Sequence, residues 1–548
     1  MPSLTVDGKA IEVPAGSRLI EACRGAGVVV PHFCYHPGLS VAGNCRMCMV
    51  EIEMGGRTRV AASCVEPAVE GMVVRTRSAE VDDTRQGVME FLLLNHPIDC
   101  PSCDCAGECK LQDYYMDWGA VDAGSRRETE QVHKPKRQPI GPHVMLDSER
   151  CVLCSRCVRF CQEVTGTGEL GIEERGTHST LHLAEGRSLD NAYSGNVVDL
   201  CPVGALTDRD FRFRRRVWYL KRAASICPGC SRGCNTEIHY DLGRDHKNLE
   251  SGRRVMRLKP RFNEDVNKWW LCDRGRYGYG AIDEGRLTQP RVARDGQVSE
   301  TDWQDALGEA ARQLDDMTRR HLDQLAVLFS PDMTSEALLA ARSLFLDQLK
   351  FPRADFELAS DAPGDEDGLL MKADLHPNRR ACEGLKLKRG DFAGGHLAGE
   401  IRAGRVKGLV CFRWDLPALL GAEARELLGR LKLLIVLATH EQDWGPLATL
   451  QLPVAVYAEQ AGTFVNFEGR AQRLEAAFEP LGRARREVDL LLELGQRLGR
   501  KPAQSTAEAL GRRLEGELPV VRALSASAEP GRRAGTPRER VSKEAAPR

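Results

Sequence analysis

Residues 96 to 109, HPIDCPSCDCAGEC, hold one histidine and four cysteines. Donors at that density bind a metal ion or an iron–sulfur cluster rather than fill a core. His96, Cys100, Cys103 and Cys109 form H-x3-C-x2-C-x5-C, four donors on one loop. Cys105 is one donor too many. It is set aside because Cys109 lies beyond Gly107, which can turn the chain back. On spacing alone a structural zinc ion competes with a cluster here.

Three further groups flank that loop. Cys34, Cys45, Cys48 and Cys64 place a long gap before a C-x2-C pair and a late cysteine after it, which matches two-iron ferredoxins in kind. The gaps are ten and fifteen residues rather than the plant-type four. A zinc site competes again, but zinc knuckles come as two close pairs and only one pair is close. CVLCSRCVRFC, from Cys151 to Cys161, is the bacterial ferredoxin run, with Cys201-Pro202 as its late Cys-Pro. In a two-cluster ferredoxin a second run would put cysteines at positions 191, 194 and 197; here stand Asn191, Ser194 and Val197. One four-iron site is kept, on Cys151, Cys154, Cys157 and Cys201, and Cys161 loses its partners. Cys227, Cys230, Cys234 and Cys272 follow as C-x2-C-x3-C with a distant fourth. Of the remainder, Cys23 lies in a predicted helix as a small buried hydrophobe.

The 548 residues suggest three to five domains. Charge is balanced, 77 basic side chains against 78 acidic, so nothing points to nucleic acid. There is no apolar run of membrane-spanning length and no signal-peptide pattern, which argues for a reducing, cytoplasmic setting. Disulfides are then not expected for the 20 cysteines, 18 of which fall at or before Cys272.

The elements that must position these donors are legible in outline. LTVDGKAIEV predicts a hairpin turning at Asp7-Gly8. GSRLIEACRGAG predicts a helix capped by Ser17, and residues 83–95 predict another running into the His96 loop. TEQVHKPKRQPIGP reads as a linker, and the basic run RDFRFRRRVWYLKR (209–222) as a solvated helix face rather than a docking face. TDWQDALGEAARQLDDM predicts an amphipathic helix opened by Thr301 with Gln304 in capping-box spacing. LAVLFS, GLVCF and LLIVLA are short buried-strand runs between helices, the pattern of a parallel α/β sheet. The last two dozen residues read as a disordered tail.

Several clusters in one chain, without a G-x-G-x-x-G fingerprint after a strand, read as an electron wire that needs partners at both ends. The order of the four groups resembles the large iron–sulfur subunit of respiratory complex I, known in bacterial NADH–quinone oxidoreductase as the G subunit. The similarity continues through NKWWLCDRGRYGYGAIDEGRLTQPRV and through AEQAGTFVNFEGRAQ (458–472), a stretch similar to molybdopterin oxidoreductases. The resemblance implies that His96 is a cluster ligand and that all four sets carry over: one 2Fe-2S cluster on Cys34, Cys45, Cys48 and Cys64, and three 4Fe-4S clusters on the others. It implies a proton-translocating NADH:quinone oxidoreductase in which this chain has no nicotinamide or quinone site. The partners are then a flavin subunit that oxidises NADH, small iron–sulfur subunits and a membrane arm, with the chain peripheral on the cytoplasmic side of the inner membrane.

The expected fold class is multidomain α+β and α/β. A β-grasp ferredoxin-like domain spans 1–78, and a cluster domain with one histidine and three cysteine ligands spans 79–120. A degenerate two-cluster ferredoxin domain covers 121–218, and a four-iron domain of molybdopterin-oxidoreductase type 219–275. A shortened molybdopterin-oxidoreductase-like α/β domain takes 276–523 and a tail 524–548. No molybdopterin is expected. Asp273 and Arg274 stand where a lysine would follow the last cluster cysteine, Cys382 lacks an adjacent histidine, and Cys411 falls in a predicted buried strand. The competing assemblies are the electron-transfer subunit of a soluble NAD-linked hydrogenase or formate dehydrogenase, and a zinc-scaffold interaction protein.

Overall fold

The computed structural model describes residues 1–119, 131–243, 252–294, 297–356, 366–388, 396–500 and 507–517. The predicted tail and the start of the predicted linker lie outside them. The chain divides into two units: 1–286 with 361–375 and 475–479, and the remaining segments. Among the described residues no helix is long and apolar enough to cross a membrane.

The first unit opens with a five-stranded sheet and a helix laid on it. Strands Ser3–Val6 and Lys9–Glu12 pair antiparallel around Asp7 and Gly8, whose φ of 46° and 83° make the tight turn the sequence predicted. Ser3–Val6 also pairs parallel with Val73–Arg75, and Met49–Met54 with Arg57–Ala62 closes the far edge. Leu19–Gly25 is the predicted helix, but its N-cap is Arg18, not Ser17. Glu21 accepts the Arg18 N–H at 3.0 Å and so ties that end. Cys23 on this helix is fully buried, and burial pushes its thiol up to about 12. The next helix, Ala79–Asn95, starts a turn earlier than predicted because the Ser78 hydroxyl accepts the Val81 N–H at 3.3 Å.

Three small antiparallel sheets follow. The basic run 209–222 is not a helix face. It forms turns, a single 3-10 turn Val217–Tyr219 and the start of strand Lys221–Ile226. Its arginines are engaged: Arg209 donates to Gly141 O at 2.7 Å, Arg214 pairs with Asp210 at 2.8 Å, and Arg216 binds the carbonyls of Cys103 and Pro101. Tertiary acceptors therefore override the charge pattern.

The second unit is built on a seven-stranded sheet. Arg353–Asp355, Leu325–Leu328, Gly408–Phe412, Leu433–Ala438 and Leu450–Pro453 run parallel, while Arg291–Arg294 and Gln297–Glu300 add an antiparallel edge. Alternate residues of each strand serve opposite cores. Val410, Phe412, Ile435 and Leu437 pack against helices Trp303–His321, Ser335–Ala341 and Glu487–Arg497. Leu409, Cys411, Leu434 and Val436 pack against His396–Arg402, Leu416–Leu420 and Ala424–Gly429. Because both faces are covered, the central strands Leu325–Leu328, Gly408–Phe412 and Leu433–Ala438 are apolar throughout rather than alternating.

Helix Trp303–His321 is capped by Asp302, whose carboxylate accepts the Asp305 N–H at 2.9 Å, and not by Thr301. Asp302→Ala is expected to cost about 1 kcal/mol in chemical denaturation, and Thr301→Ala a small fraction of that. A larger loss in Thr301→Ala than in Asp302→Ala would place the cap at Thr301, and equal losses would mean that Asp302 is not the sole cap.

Candidate iron–sulfur sites

The first set flanks the last two strands on one side of the N-terminal sheet. Cys34, Cys45 and Cys48 sit on the loop before strand Met49–Met54, and Cys64 follows strand Arg57–Ala62. Cys34, Cys48 and Cys64 are buried and Cys45 half-buried. Hydrogen bonds from the Cys45 and Cys64 thiols hold the Cys34 thiol far below its ordinary range, and the Cys64 thiol brings Cys48 down to about 7. The Cys34 N–H reaches the Cys45 sulfur at 3.4 Å. Arg46, inside the C-x2-C, is left-handed at φ 57°, which curls the loop around its sulfurs.

The second set spans a helix end and a helix start. His96 is the C-cap of Ala79–Asn95, Cys100 opens a 3-10 turn, and Cys109 is the N-cap of Lys110–Trp118. Gly107 turns the chain at φ 87°, as the sequence suggested. The set-aside Cys105 lies beside Cys109. Hydrogen bonding from Cys105 lowers the Cys109 thiol to about 7, while that contact and burial raise Cys105. Cys109 is thus the more easily ionised of the two thiols, with Cys105 as its hydrogen-bond donor. A Cβ on Gly204 would come 2.4 Å from the Cys103 sulfur, so only glycine lets the backbone pass there.

The third set encloses one cavity, lined by Cys151, Cys154, Cys157 and Cys201 together with Leu153, Pro202 and other mainly apolar residues. Leu153 and Ser155, on either side of Cys154, are both left-handed at φ 52° and 58°. This costly pair of conformations points the chain around the cavity. The Leu153 N–H reaches the Cys151 sulfur at 3.4 Å. Burial raises Cys151 to about 11 and Cys201 to about 12, and Cys154 adds to both. Bare thiolates are disfavoured here, and iron would supply the missing positive charge.

Where a second ferredoxin cluster would lie, polar contacts stand instead. The Cys161 thiol hydrogen-bonds with Glu169, which also accepts from Asn191 Nδ2 at 2.8 Å and the Thr167 hydroxyl at 2.5 Å. Ser194 donates to Asp273 at 2.6 Å, and Val197 is fully buried.

The fourth set occupies the turn between strands Lys221–Ile226 and Asn235–Tyr240, with Cys272 opening the short helix Asp273–Tyr277. All four cysteines are buried. Gly229 and Gly275 N–H groups reach the Cys227 and Cys272 sulfurs at 3.4 Å each. A Cβ on Gly275 would lie 2.9 Å from the Cys227 sulfur. Cys382 and Cys411 are fully buried in the cores of the second unit.

Across these sets the donors fit iron–sulfur clusters. Among the described residues no three His, Cys, Asp or Glu side chains converge on a single ion. A cluster spreads its irons, with two protein ligands at each iron of a 2Fe-2S site and one at each iron of a 4Fe-4S site. Backbone N–H groups already aimed at sulfur are the contacts that tune such clusters.

Domain families match in the same order along the chain. They are a 2Fe-2S iron-sulfur cluster binding domain at 2–79, the NADH-ubiquinone oxidoreductase-G iron-sulfur binding region at 85–122, and the NADH-quinone oxidoreductase subunit 3 ferredoxin-like domain at 141–207. An NDSU1/NuoG-like 4Fe-4S domain follows at 249–280 and molybdopterin oxidoreductase at 417–497. The G subunit of NADH-quinone oxidoreductase from Rickettsia bellii is 30% identical over 95% of this chain and 90% of its own length. The chain belongs to this NuoG-like family. The Reclinomonas americana NADH-ubiquinone oxidoreductase 75 kDa subunit is 36% identical over 69% of this NuoG-like chain and 53% of its own length. The mitochondrial 78 kDa subunit of Neurospora crassa is 44% identical over 56% and 40%. A chain of an NAD+-reducing [NiFe]-hydrogenase, 31% identical, covers 39% of this chain and 91% of its own at a TM-score of 0.35, a likeness too low to favour the hydrogenase assembly.

The loop of the second set is pinned from behind. Glu108 accepts both Arg257 donors at 2.9 and 2.7 Å, and Arg257 Nε donates to His239 Nδ1 at 3.1 Å. His239 Nε2 in turn meets Glu237 at 2.7 Å. Burial lowers His239 to about 4, Glu237 opposing this while Arg257 and Lys259 reinforce it. In the unfolded chain the imidazole titrates near 6.5. The stability given by a neutral His239 is therefore complete above that pH. It is lost as pH falls towards about 4, about 3 kcal/mol across the window. Denaturation curves between pH 7 and 4.5 should show this slope, and His239→Gln should flatten it. A slope unchanged in the variant would assign it to other groups.

Proposed function

We propose that this chain is the electron-transfer subunit of a multisubunit NADH–quinone oxidoreductase. Its ligands are one 2Fe-2S set (Cys34, Cys45, Cys48, Cys64) and three 4Fe-4S sets (His96, Cys100, Cys103, Cys109; Cys151, Cys154, Cys157, Cys201; Cys227, Cys230, Cys234, Cys272). The observation that carries this reading is a shared core. Cys34, Cys109 and Cys154, one from each of the first three sets, are buried in a single apolar cluster with Phe33, Met47, Met89 and Trp118. When bound, the clusters supply one-electron carriers whose potentials depend on burial and on hydrogen bonds to sulfur.

The chain's own residues do the rest. Cysteine sulfurs and the His96 imidazole hold iron. The N–H groups of Cys34, Leu153, Gly229 and Gly275 bind sulfur. The apolar cluster keeps water away from three of the sets. The domain division is that of the sequence reading, six segments with boundaries at 78, 120, 218, 275 and 523. Electrons arrive from a flavin subunit and leave through small iron–sulfur subunits towards quinone in a membrane arm, the chain lying peripherally on the cytoplasmic side of the inner membrane. The molybdopterin-type unit serves as scaffold. Its two cysteines, Cys382 and Cys411, are fully buried in packed cores rather than presented to a cavity large enough for pterins.

EPR of the reduced purified complex tests the reading: one two-iron and three four-iron signals should be assignable to this chain. Colourless, zinc-loaded protein would overturn the cluster assignment, and stoichiometric molybdenum or tungsten would overturn the scaffold role.

A further inference from the structure

Arg156 and Arg159 flank Cys157 on the helix Arg156–Arg159 and are only 4% and 8% exposed. A buried guanidinium is normally answered by a carboxylate. Among the described residues neither makes such a pair. Their acceptors are carbonyls of the first and third ligand loops and one hydroxyl. Arg156 donates to Tyr35 O at 2.5 Å and Leu200 O at 3.1 Å. Arg159 donates to Cys34 O at 2.6 Å, Cys154 O at 3.3 Å, the Ser155 hydroxyl at 3.2 Å and Ser40 O. Glu163 accepts the Ser40 N–H at 2.8 Å and pairs with neither arginine. The two forks thus stitch the Cys34 loop to the segments carrying Cys154 and Cys201.

With clusters bound, their thiolate ligands would supply the countercharge that no carboxylate gives. Burial lowers Arg156 while Cys154, Cys201, Tyr114 and Cys34 oppose this, and burial raises the Cys154 thiol while both arginines oppose that. That countercharge would lie on the two ligand sets that the arginines hold together.

We propose that Arg156 and Arg159 form a shared cationic clamp that fixes the first ligand set against the third and raises the reduction potential at both. The inference rests on the ligand sets proposed above. A fixed positive charge favours the more negative, reduced state of each site it faces. A clamp between two sites must shift both in the same direction, which a residue that merely fills space would not do.

The test is a redox titration followed by EPR on the assembled complex. Arg156→Gln and Arg159→Gln should each lower the midpoint potentials of the two-iron signal and the Cys201-dependent four-iron signal together, with iron content retained. Arg159→Lys keeps the charge but loses the fork. Its potentials should stay near those of the unsubstituted complex, while an iron chelator strips the two-iron site faster. A Gln variant with both clusters loaded and only one potential moved, or neither, overturns the clamp. If the Gln variants do not assemble, an unchanged stripping rate in Arg159→Lys overturns it. Absence of either signal from the unsubstituted complex overturns the ligand assignment, and the clamp with it.

Discussion

Replacing Cys201 with Ala is expected to abolish one four-iron EPR signal and the iron that accompanies it, whereas replacing Cys161 with Ser should change neither. The two residues look alike in sequence, since both follow the triplet Cys151, Cys154 and Cys157. Their surroundings separate them. Cys201 lines the same cavity as the triplet, and its thiol is raised by burial and by Cys154. Cys161 turns into the π-helical segment Phe160–Val164 and is hydrogen-bonded with Glu169, whose other partners are Asn191 and Thr167. A serine there can keep the bond to Glu169, so the fold survives. EPR at low temperature and iron analysis of both variants decide the matter. A missing four-iron signal in Cys161→Ser would reverse the two roles.

The largest effect on stability is expected in the second unit, at Glu487. Its side chain is fully buried and grips Arg413 through both oxygens, Nε to Oε1 at 2.6 Å and Nη2 to Oε2 at 2.7 Å. Arg413 also donates to Asp332 O and Ala455 O at 3.0 Å each. One guanidinium therefore joins three segments beyond strand Gly408–Phe412. Glu487→Ala leaves that cation buried without its anion, at an expected cost of about 3–5 kcal/mol. Replacing both partners with apolar residues should cost less than the single change, because no uncompensated charge remains. Denaturant unfolding followed in the second unit measures both. A loss below about 1 kcal/mol for Glu487→Ala would mean that water reaches Arg413 in the variant.

The order of the ligand groups was legible because donor spacing is a property of the chain itself. A C-x2-C-x2-C run with a distant Cys-Pro can be read without coordinates, and so can the absence of its twin at Asn191, Ser194 and Val197. The buried strands were legible for a related reason: a run such as LLIVLA is stable only where both faces are covered, so composition alone points to a sandwiched sheet. The caps fall one residue from the expected ones: at Asp302 a neighbouring carboxylate takes the N–H that Thr301 would have taken, and at Arg18 the helix end is tied by Glu21 instead of a cap side chain.

What only the tertiary structure decided is what faces what. Sequence spacing treated 209–222 as a helix face, but acceptors on distant loops, Gly141 and Cys103 among them, drew its arginines into turns. It left Cys105 as a spare, whereas folding brings its thiol against Cys109. It could not pair Cys161 with Glu169 or set Arg156 and Arg159 between two ligand loops. Donor type and interval are local and survive in one dimension. Countercharge, burial and the closing of one loop upon another depend on residues more than a hundred positions apart, such as Cys34 and Arg159, and exist only once the chain has folded.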